Sequence, residues 1–245
     1  MDYKKLSGSG NTFVIINNIP QEKINPKELA IELCAKEKTD GLLLIEPSNI
    51  CDFKMRIFNR DGSEAEMCGN GSRCAAFFGW KENLAENKME IETLWGRIKA
   101  IASGDLVKVM IGEPKDIRLN IMLNTHFVRV GVPHTIVLVD DVDNVDVFGL
   151  GRKIRFDILF EPEGTNVDFV EVILENKIKI RTYERGVEDE TLSCGTGSCA
   201  SCYIFNLLNK THFPTIVEAR SKEFLNVYFE DNRFYLEGRV KEIYS

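Results

Sequence analysis

The chain has 245 residues, 44% hydrophobic and 28% charged, which describes a folded globular protein and excludes a disordered or fibrous one. With 31 basic against 38 acidic residues the net charge is −7, so nucleic acid is not the expected partner. The longest apolar runs, 12–16 and 41–45, are strand-sized and fall far short of the roughly 20 residues of a membrane-crossing helix.

The start, Met1-Asp2-Tyr3-Lys4-Lys5-Leu6, has no apolar export core, and a cytoplasmic location is expected. Thr12–Ile16 reads as a strand. Asn25-Pro26 reads as an N-cap with proline in the first turn, opening a helix over Lys27–Lys38 with Leu29, Leu33 and Cys34 as its apolar stripe. Strands follow at Gly41–Ile45 and, by clean alternation, at Phe53–Phe58. A buried helix is expected to begin just after Cys68 and to include Arg73–Trp80, and a strand covers Leu106–Ile111. Gly112-Glu113-Pro114 is the most plausible boundary near the middle, dividing the chain into 1–114 and 115–245. Thr135–Val139, Asn166–Val172, Ile178–Tyr183 and Phe224–Phe229 read as strands, and a second buried helix follows Cys194 through Cys199–Leu208.

An internal repeat organises these elements. Met67-Cys68-Gly69-Asn70-Gly71-Ser72 returns as Ser193-Cys194-Gly195-Thr196-Gly197-Ser198. Asn11-Thr12-Phe13-Val14-Ile15 resembles His134-Thr135-Ile136-Val137-Leu138, and Ile91-Glu92-Thr93 matches Val217-Glu218-Ala219. Matches in order, at a nearly constant offset close to half the chain, indicate two halves folded alike, with a ligand site expected where they face each other.

The seven cysteines (34, 51, 68, 74, 194, 199 and 202) are an odd number, expected as free thiols in a chain that needs no disulfide staples. Cys34, Cys51 and Cys74 read as core filler. Cys68 and Cys194 differ because glycines follow each at alternate positions. Glycines at a helix start let a ligand approach the unsatisfied N–H groups and the positive dipole end. A thiol there is expected to have its pKa moved down from about 8.5. Two such turns suit one chemistry: one thiolate removes an α-proton while the other thiol returns a proton to the opposite face. The helix ends would stabilise enolate-like charge on the adjacent carboxylate. That chemistry requires neither cofactor nor metal. Cys199-Ala200-Ser201-Cys202 is formally a C-x-x-C, and a zinc site from Cys194, Cys199 and Cys202 is the competing reading, although no second pair completes it.

The sequence resembles the diaminopimelate epimerases, cofactor-independent two-thiol enzymes. The resemblance runs through Gly8-Ser9-Gly10-Asn11-Thr12-Phe13-Val14, Phe58-Asn59-Arg60-Asp61-Gly62-Ser63-Glu64-Ala65-Glu66-Met67-Cys68-Gly69-Asn70-Gly71-Ser72-Arg73-Cys74 and Gly131-Val132-Pro133-His134. It continues through Gly164-Thr165-Asn166-Val167-Asp168-Phe169-Val170-Glu171 and from Thr182-Tyr183-Glu184-Arg185-Gly186 to Cys194-Gly195-Thr196-Gly197. It implies an α+β fold of two similar halves, each a curved mixed sheet wrapped on a central helix. It also implies Cys68 and Cys194 as the acid–base pair, with His134 and Glu184 tuning the thiols. Asn11, Asn59, Gly69, Asn70, Asn166, Glu184, Arg185, Gly195 and Thr196 match substrate-contacting positions, with Arg185 suited to a second carboxylate by bidentate pairing.

The implied activity is epimerisation of LL- to meso-diaminopimelate in lysine and peptidoglycan precursor synthesis, on a small amino-acid substrate; a homodimer is compatible. Three departures bear on substrate identity. Val132 stands where an asparagine is common, Thr12 where aspartate is common, and Asp40-Gly41-Leu42 where some members place glutamine. A racemase of lysine, histidine or proline-type substrates on the same fold is the alternative, and a non-catalytic thiol or zinc-binding protein the remote one.

Overall fold

The computed structural model describes residues 2–17 and 25–244; Met1, residues 18–24 and Ser245 lie outside it. Contacts divide the chain into two compact units, Met1–Met110 with Glu237–Ser245, and Ile111–Leu236.

In the first unit β1 (Lys4–Gly8) and β2 (Asn11–Asn17) form an antiparallel hairpin. Its two-residue turn, Ser9-Gly10, has positive φ at both positions (54° and 88°), the geometry that matches strand twist. Helix α1 (Pro26–Glu37) then returns the chain so that β3 (Gly41–Glu46) lies parallel to β2. Its N-cap is Asn25, whose side chain accepts from the Lys27 N–H, and Ala30, Leu33 and Cys34 are its buried residues. The stripe expected from sequence is therefore shifted, with Leu29 only partly buried. Next come β4 (Phe53–Asn59) antiparallel to β3, the short β5 (Glu64–Ala65), and α2 (Gly69–Lys81). β6 (Lys88–Thr93) lies parallel to β4, followed by the antiparallel β7 (Gly96–Ser103) and β8 (Leu106–Gly112). Gly69 to Gly79 of α2 are all buried, as expected of a helix that strands enclose, and α2 packs on β1, β2, β3, β4 and β7.

The second unit repeats this order. After β9 (Pro114–Met122) come β10 (Thr125–Val130) and β11 (Val132–Leu138), an antiparallel pair turning at Gly131 with φ of 69°. Helix α3 (Val147–Arg155) leads to β12 (Asn166–Leu174), parallel to β11. β13 (Lys177–Glu184) and β14 (Asp189–Thr191) follow antiparallel. Then come α4 (Gly195–Leu207), β15 (Thr215–Glu218) parallel to β13, and β16 (Phe224–Glu230) antiparallel to β15. The chain ends in β17 (Arg233–Glu242), whose last residues pair with β1 (Gly8 opposite Val240). This strand exchange returns the C-terminus to the first unit, so the units do not follow a single cut in sequence. The sequence repeat is a repeat of connectivity: hairpin, helix, parallel strand, hairpin, buried helix, parallel strand.

Among the cysteines expected as filler, Cys34 and Cys74 are buried but Cys51 is partly exposed. None of the seven is joined in a disulfide.

Candidate functional site

In the first unit Cys68 is the N-cap of α2: extended at φ −143°, with its sulfur accepting from the Gly71 N–H at 3.5 Å. Gly69 and Asn70, the first two helical residues, are buried. The Asn70 amide donates to Asn11 Oδ1 at 2.5 Å, which brings Asn11, next to the β1–β2 turn, onto the helix start. Asn70 is held in turn by Arg73, a completely buried guanidinium whose Nη2 donates to Asn70 Oδ1 (2.8 Å) and Ser9 Oγ (2.7 Å). A buried guanidinium fixed by two acceptors pins the amide's orientation. Sequence reasoning assigns Arg73 no part; its position inside an otherwise apolar helix is the available signal. Asn59 ends β4. It is exposed and caps the β4–β5 turn, donating to Ser63 Oγ at 2.9 Å.

In the second unit, strand register gathers the site. His134 lies opposite Asn166 in the β11–β12 pair, and Asp168 is opposite Thr182 in β12–β13. With a side-chain period of two, His134, Asn166, Asp168, Thr182 and Glu184 share one face. His134 and Asp168 are wholly buried and bonded, Nδ1 to Oδ2 at 2.7 Å. Thr182 Oγ1 donates to Asp168 Oδ1 at 2.7 Å. His134 Nε2 meets Thr196 Oγ1 at 3.0 Å, and that hydroxyl lies 3.4 Å from Cys194 Sγ. Asn166 accepts from the Arg185 N–H at 2.7 Å, while the Arg185 guanidinium bonds the Glu163 carbonyl at 3.2 Å. Gly197 is required by close approach: a Cβ there would lie 3.0 Å from Asp168 Cγ and closer still to its oxygen.

Cys194 is the N-cap of α4, extended at φ −113°. Its thiol does not follow the downward shift expected of a helix N-terminus. Burial pushes it well up, helped by the negative charges of Glu184 and Asp168, against the Thr196 hydroxyl and the Gly197 N–H. Desolvation and two carboxylates outweigh the helix end. Burial also raises the Glu184 carboxyl, opposed by the Thr191 hydroxyl and His134. Sequence reasoning misses Asp168 and Thr182. A signal exists for Asp168, a charge inside the apolar run Val167-Asp168-Phe169-Val170, since buried charges are partnered.

The departures are also placed. Thr12 is locked to Asp40, its N–H and hydroxyl both donating to Oδ2 at 2.8 and 3.0 Å. Val132 starts β11. Cys199 and Cys202 are buried inside α4, where burial pushes the Cys202 thiol far up. Among the described residues no group of three or more His, Cys, Asp or Glu is placed to hold a metal ion, nor is any helix long and apolar enough to cross a membrane.

Solved structures share this fold at low identity. A phenazine biosynthesis protein of the PhzF family from Bacillus anthracis superposes with a TM-score of 0.75 at 14% identity, covering 100% of this chain and 98% of that one. A hydroxyproline epimerase from Agrobacterium vitis gives 0.69 at 14%, covering 98% and 88%. Two curated relatives are much nearer in sequence. The diaminopimelate epimerase of Aquifex aeolicus is 41% identical over 100% of this chain and 96% of its own, and that of Caldanaerobacter subterraneus 42% over 100% and 98%. The family model described as diaminopimelate epimerase matches residues 3–117 and 126–240, once on each repeat. On these grounds the chain belongs to the diaminopimelate epimerase family.

Proposed function

We propose that the protein epimerises diaminopimelate, interconverting the LL and meso forms in the lysine and peptidoglycan precursor pathway of the cytoplasm. It does so with Cys68 and Cys194 as the acid–base pair. One observation carries this reading: the two thiols occupy the same place in two repeats, each the N-cap of a buried helix that opens Gly-x-Gly-Ser. In either direction one sulfur, as thiolate, takes the α-proton, and the other, as thiol, supplies a proton to the opposite face, so the carbon inverts with no change of oxidation state. The first N–H groups of α2 and α4, at Gly69, Asn70, Gly195 and Thr196, receive the substrate carboxylate and the charge that develops on it. Asn11, Asn59, Asn166, Glu184 and Arg185 hold the remaining ammonium and carboxylate groups, and His134 and Glu184 tune the thiols. No cofactor or metal enters the reaction.

The test is incubation of dialysed, chelator-treated protein in deuterated water with LL- and meso-diaminopimelate, lysine, histidine and proline in parallel. α-Deuterium appears by NMR in both diaminopimelate isomers and in none of the others. Exchange confined to lysine, histidine or proline would move the assignment to a racemase of that amino acid, for which Val132 and Thr12 are the residues to examine.

A further inference from the structure

We propose that the Thr196 hydroxyl is a proton relay joining Cys194 to the buried His134–Asp168 pair, with Asp168 and Thr182 as its positioning residues. The proposal rests on the reading of Cys194 as an acid–base thiol and goes beyond it by stating where that thiol's proton goes.

Hydrogen-bond logic fixes the direction of the chain. Asp168 Oδ1 is occupied by the Thr182 hydroxyl and its Oδ2 lies 2.7 Å from His134 Nδ1. A carboxylate only accepts, so Nδ1 carries hydrogen in every state, and Nε2 is the nitrogen whose protonation varies. With Nε2 bare, it accepts from Thr196 O–H at 3.0 Å, and Thr196 Oγ1 accepts from the Cys194 thiol at 3.4 Å. With Nε2 protonated, it donates to Thr196, and Thr196 donates to the thiolate. Passing between these states breaks S–H and forms Oγ–H while the original Oγ–H breaks and Nε2–H forms. One proton moves from sulfur to nitrogen, Thr196 begins and ends with one hydrogen, and no oxidant or reductant takes part.

The surroundings favour such a route. Cys194 is faced by His134 from β11, Asp168 from β12 and Glu184 from β13, with the Thr191 hydroxyl of β14 behind Glu184. Releasing its proton to water would leave a third negative charge beside two carboxylates. Handing it to His134 keeps the net charge of the buried cluster constant, which a low-dielectric site strongly favours. Gly197 completes the design, because only a residue without a Cβ lets α4 close over Asp168.

The experiment reads iodoacetamide alkylation of Cys194 against pH by peptide mass spectrometry, together with the ¹⁵N shifts of His134, one of only three histidines in the chain. In Thr196→Val, Cys194 alkylation at neutral pH slows at least about tenfold while Cys68 alkylation is unchanged, and Thr196→Ser restores the wild-type profile. In Asp168→Asn, the Thr182 hydroxyl keeps donating to the amide oxygen, the NH₂ group turns to Nδ1, and His134 switches from the Nδ1–H to the Nε2–H tautomer. A Cys194 profile unchanged in folded Thr196→Val, or an unswitched tautomer in Asp168→Asn, overturns the relay. If Cys194→Ala still inverts substrate, the functional reading fails instead; if it abolishes inversion while Thr196→Val changes nothing, only the relay fails.

Discussion

The two cysteine turns share a backbone plan and differ in what surrounds the sulfur. Two residues beyond Cys68 stands Asn70, bonded to Asn11 on the first hairpin; two beyond Cys194 stands Thr196, bonded to His134 on the equivalent hairpin. Where the second repeat has Asp168 paired with Thr182, strand register places Gly41 and Asn59 in the first. Five residues beyond Cys68 is the buried cation Arg73, and five beyond Cys194 is the neutral Cys199. On the first helix start Asn70, bonded to Asn11, is fixed by the Arg73 guanidinium. Beside the second stand His134 and Asp168, hydrogen-bonded to each other, and the Glu184 carboxyl, which acts on the Cys194 sulfur by charge. The two helix starts keep the same Cys-Gly-x-Gly-Ser plan, while the side chains bonded beside them differ.

This contrast predicts unequal responses to equal substitutions. The largest difference is expected at the paired glycines. Gly197→Ala drives a methyl into the hydrogen-bonded Asp168 carboxylate and should cost about 3 kcal/mol, with loss of turnover. Gly71→Ala meets the ends of the Ile57 and Leu43 side chains at 2.9 and 3.3 Å, which can rotate away, and Cys68 Cβ at an ordinary 3.7 Å, and should cost about 1 kcal/mol. Urea denaturation of both variants checks this. Next, Arg73→Met leaves Ser9 Oγ and Asn70 Oδ1 without their donor and should cost roughly 2 kcal/mol, with a raised KM as Asn11 and Asn70 lose their orientation.

A smaller contrast separates the two hairpins that precede the cysteines. Arg56 pairs bidentately with Glu64, and Arg181 likewise with Glu190. Arg181 also donates to the carbonyls of Val142, Asp143 and Val145, anchoring the loop before α3. Arg181→Met should exceed Arg56→Met by about 1 kcal/mol in denaturation free energy. The smallest effect is a pH dependence. Burial raises the folded Glu184 carboxyl above its ordinary value of 4.5, so between 4.5 and the raised value the folded state holds more protons than the unfolded one. Stability then falls as pH rises through that window. Glu184→Gln should remove this fall, narrowing its stability difference from wild type at pH 4 and shifting it in the variant's favour at neutral pH.

The sequence announces the parts of the molecule whose physics is local. Alternation marks β4 and β13, Asn25-Pro26 marks the start of α1, and the glycine-spaced cysteines mark both buried helices to within a residue. Helix α3 is silent because two of its nine residues are glycine. Gly151 is there to admit Tyr183, whose Cβ and ring a side chain at that position would strike, a long-range reason that no local propensity encodes. Strand β9 does alternate, with Ile117, Leu119 and Ile121 at every second position, but Ile117 and Leu119 are exposed and the strand follows the Gly112-Glu113-Pro114 break, so the reading passes over it; the return of residues 240–242 to β1 is a pairing between chain ends. In the second unit motifs name Cys194 and His134, but Asp168 and Thr182 join them only through strand register and buried hydrogen bonding, as Arg73 joins Asn70 in the first unit. For the same reason the upward push on Cys194 runs against expectation: a helix N-terminus is visible in sequence, whereas burial and facing carboxylates from β12 and β13 are not.

The central claim, that Cys68 and Cys194 act as one acid–base pair, is tested most directly by α-deuterium exchange on each pure stereoisomer with the single variants Cys68→Ala and Cys194→Ala, using circular dichroism to confirm folding. Both variants should lose net inversion in both directions by roughly 10²-fold or more. Each should retain exchange on only one isomer, and on opposite isomers, because the surviving sulfur reaches only one face of the carbon. Inversion at near wild-type rates in either folded variant would contradict the account.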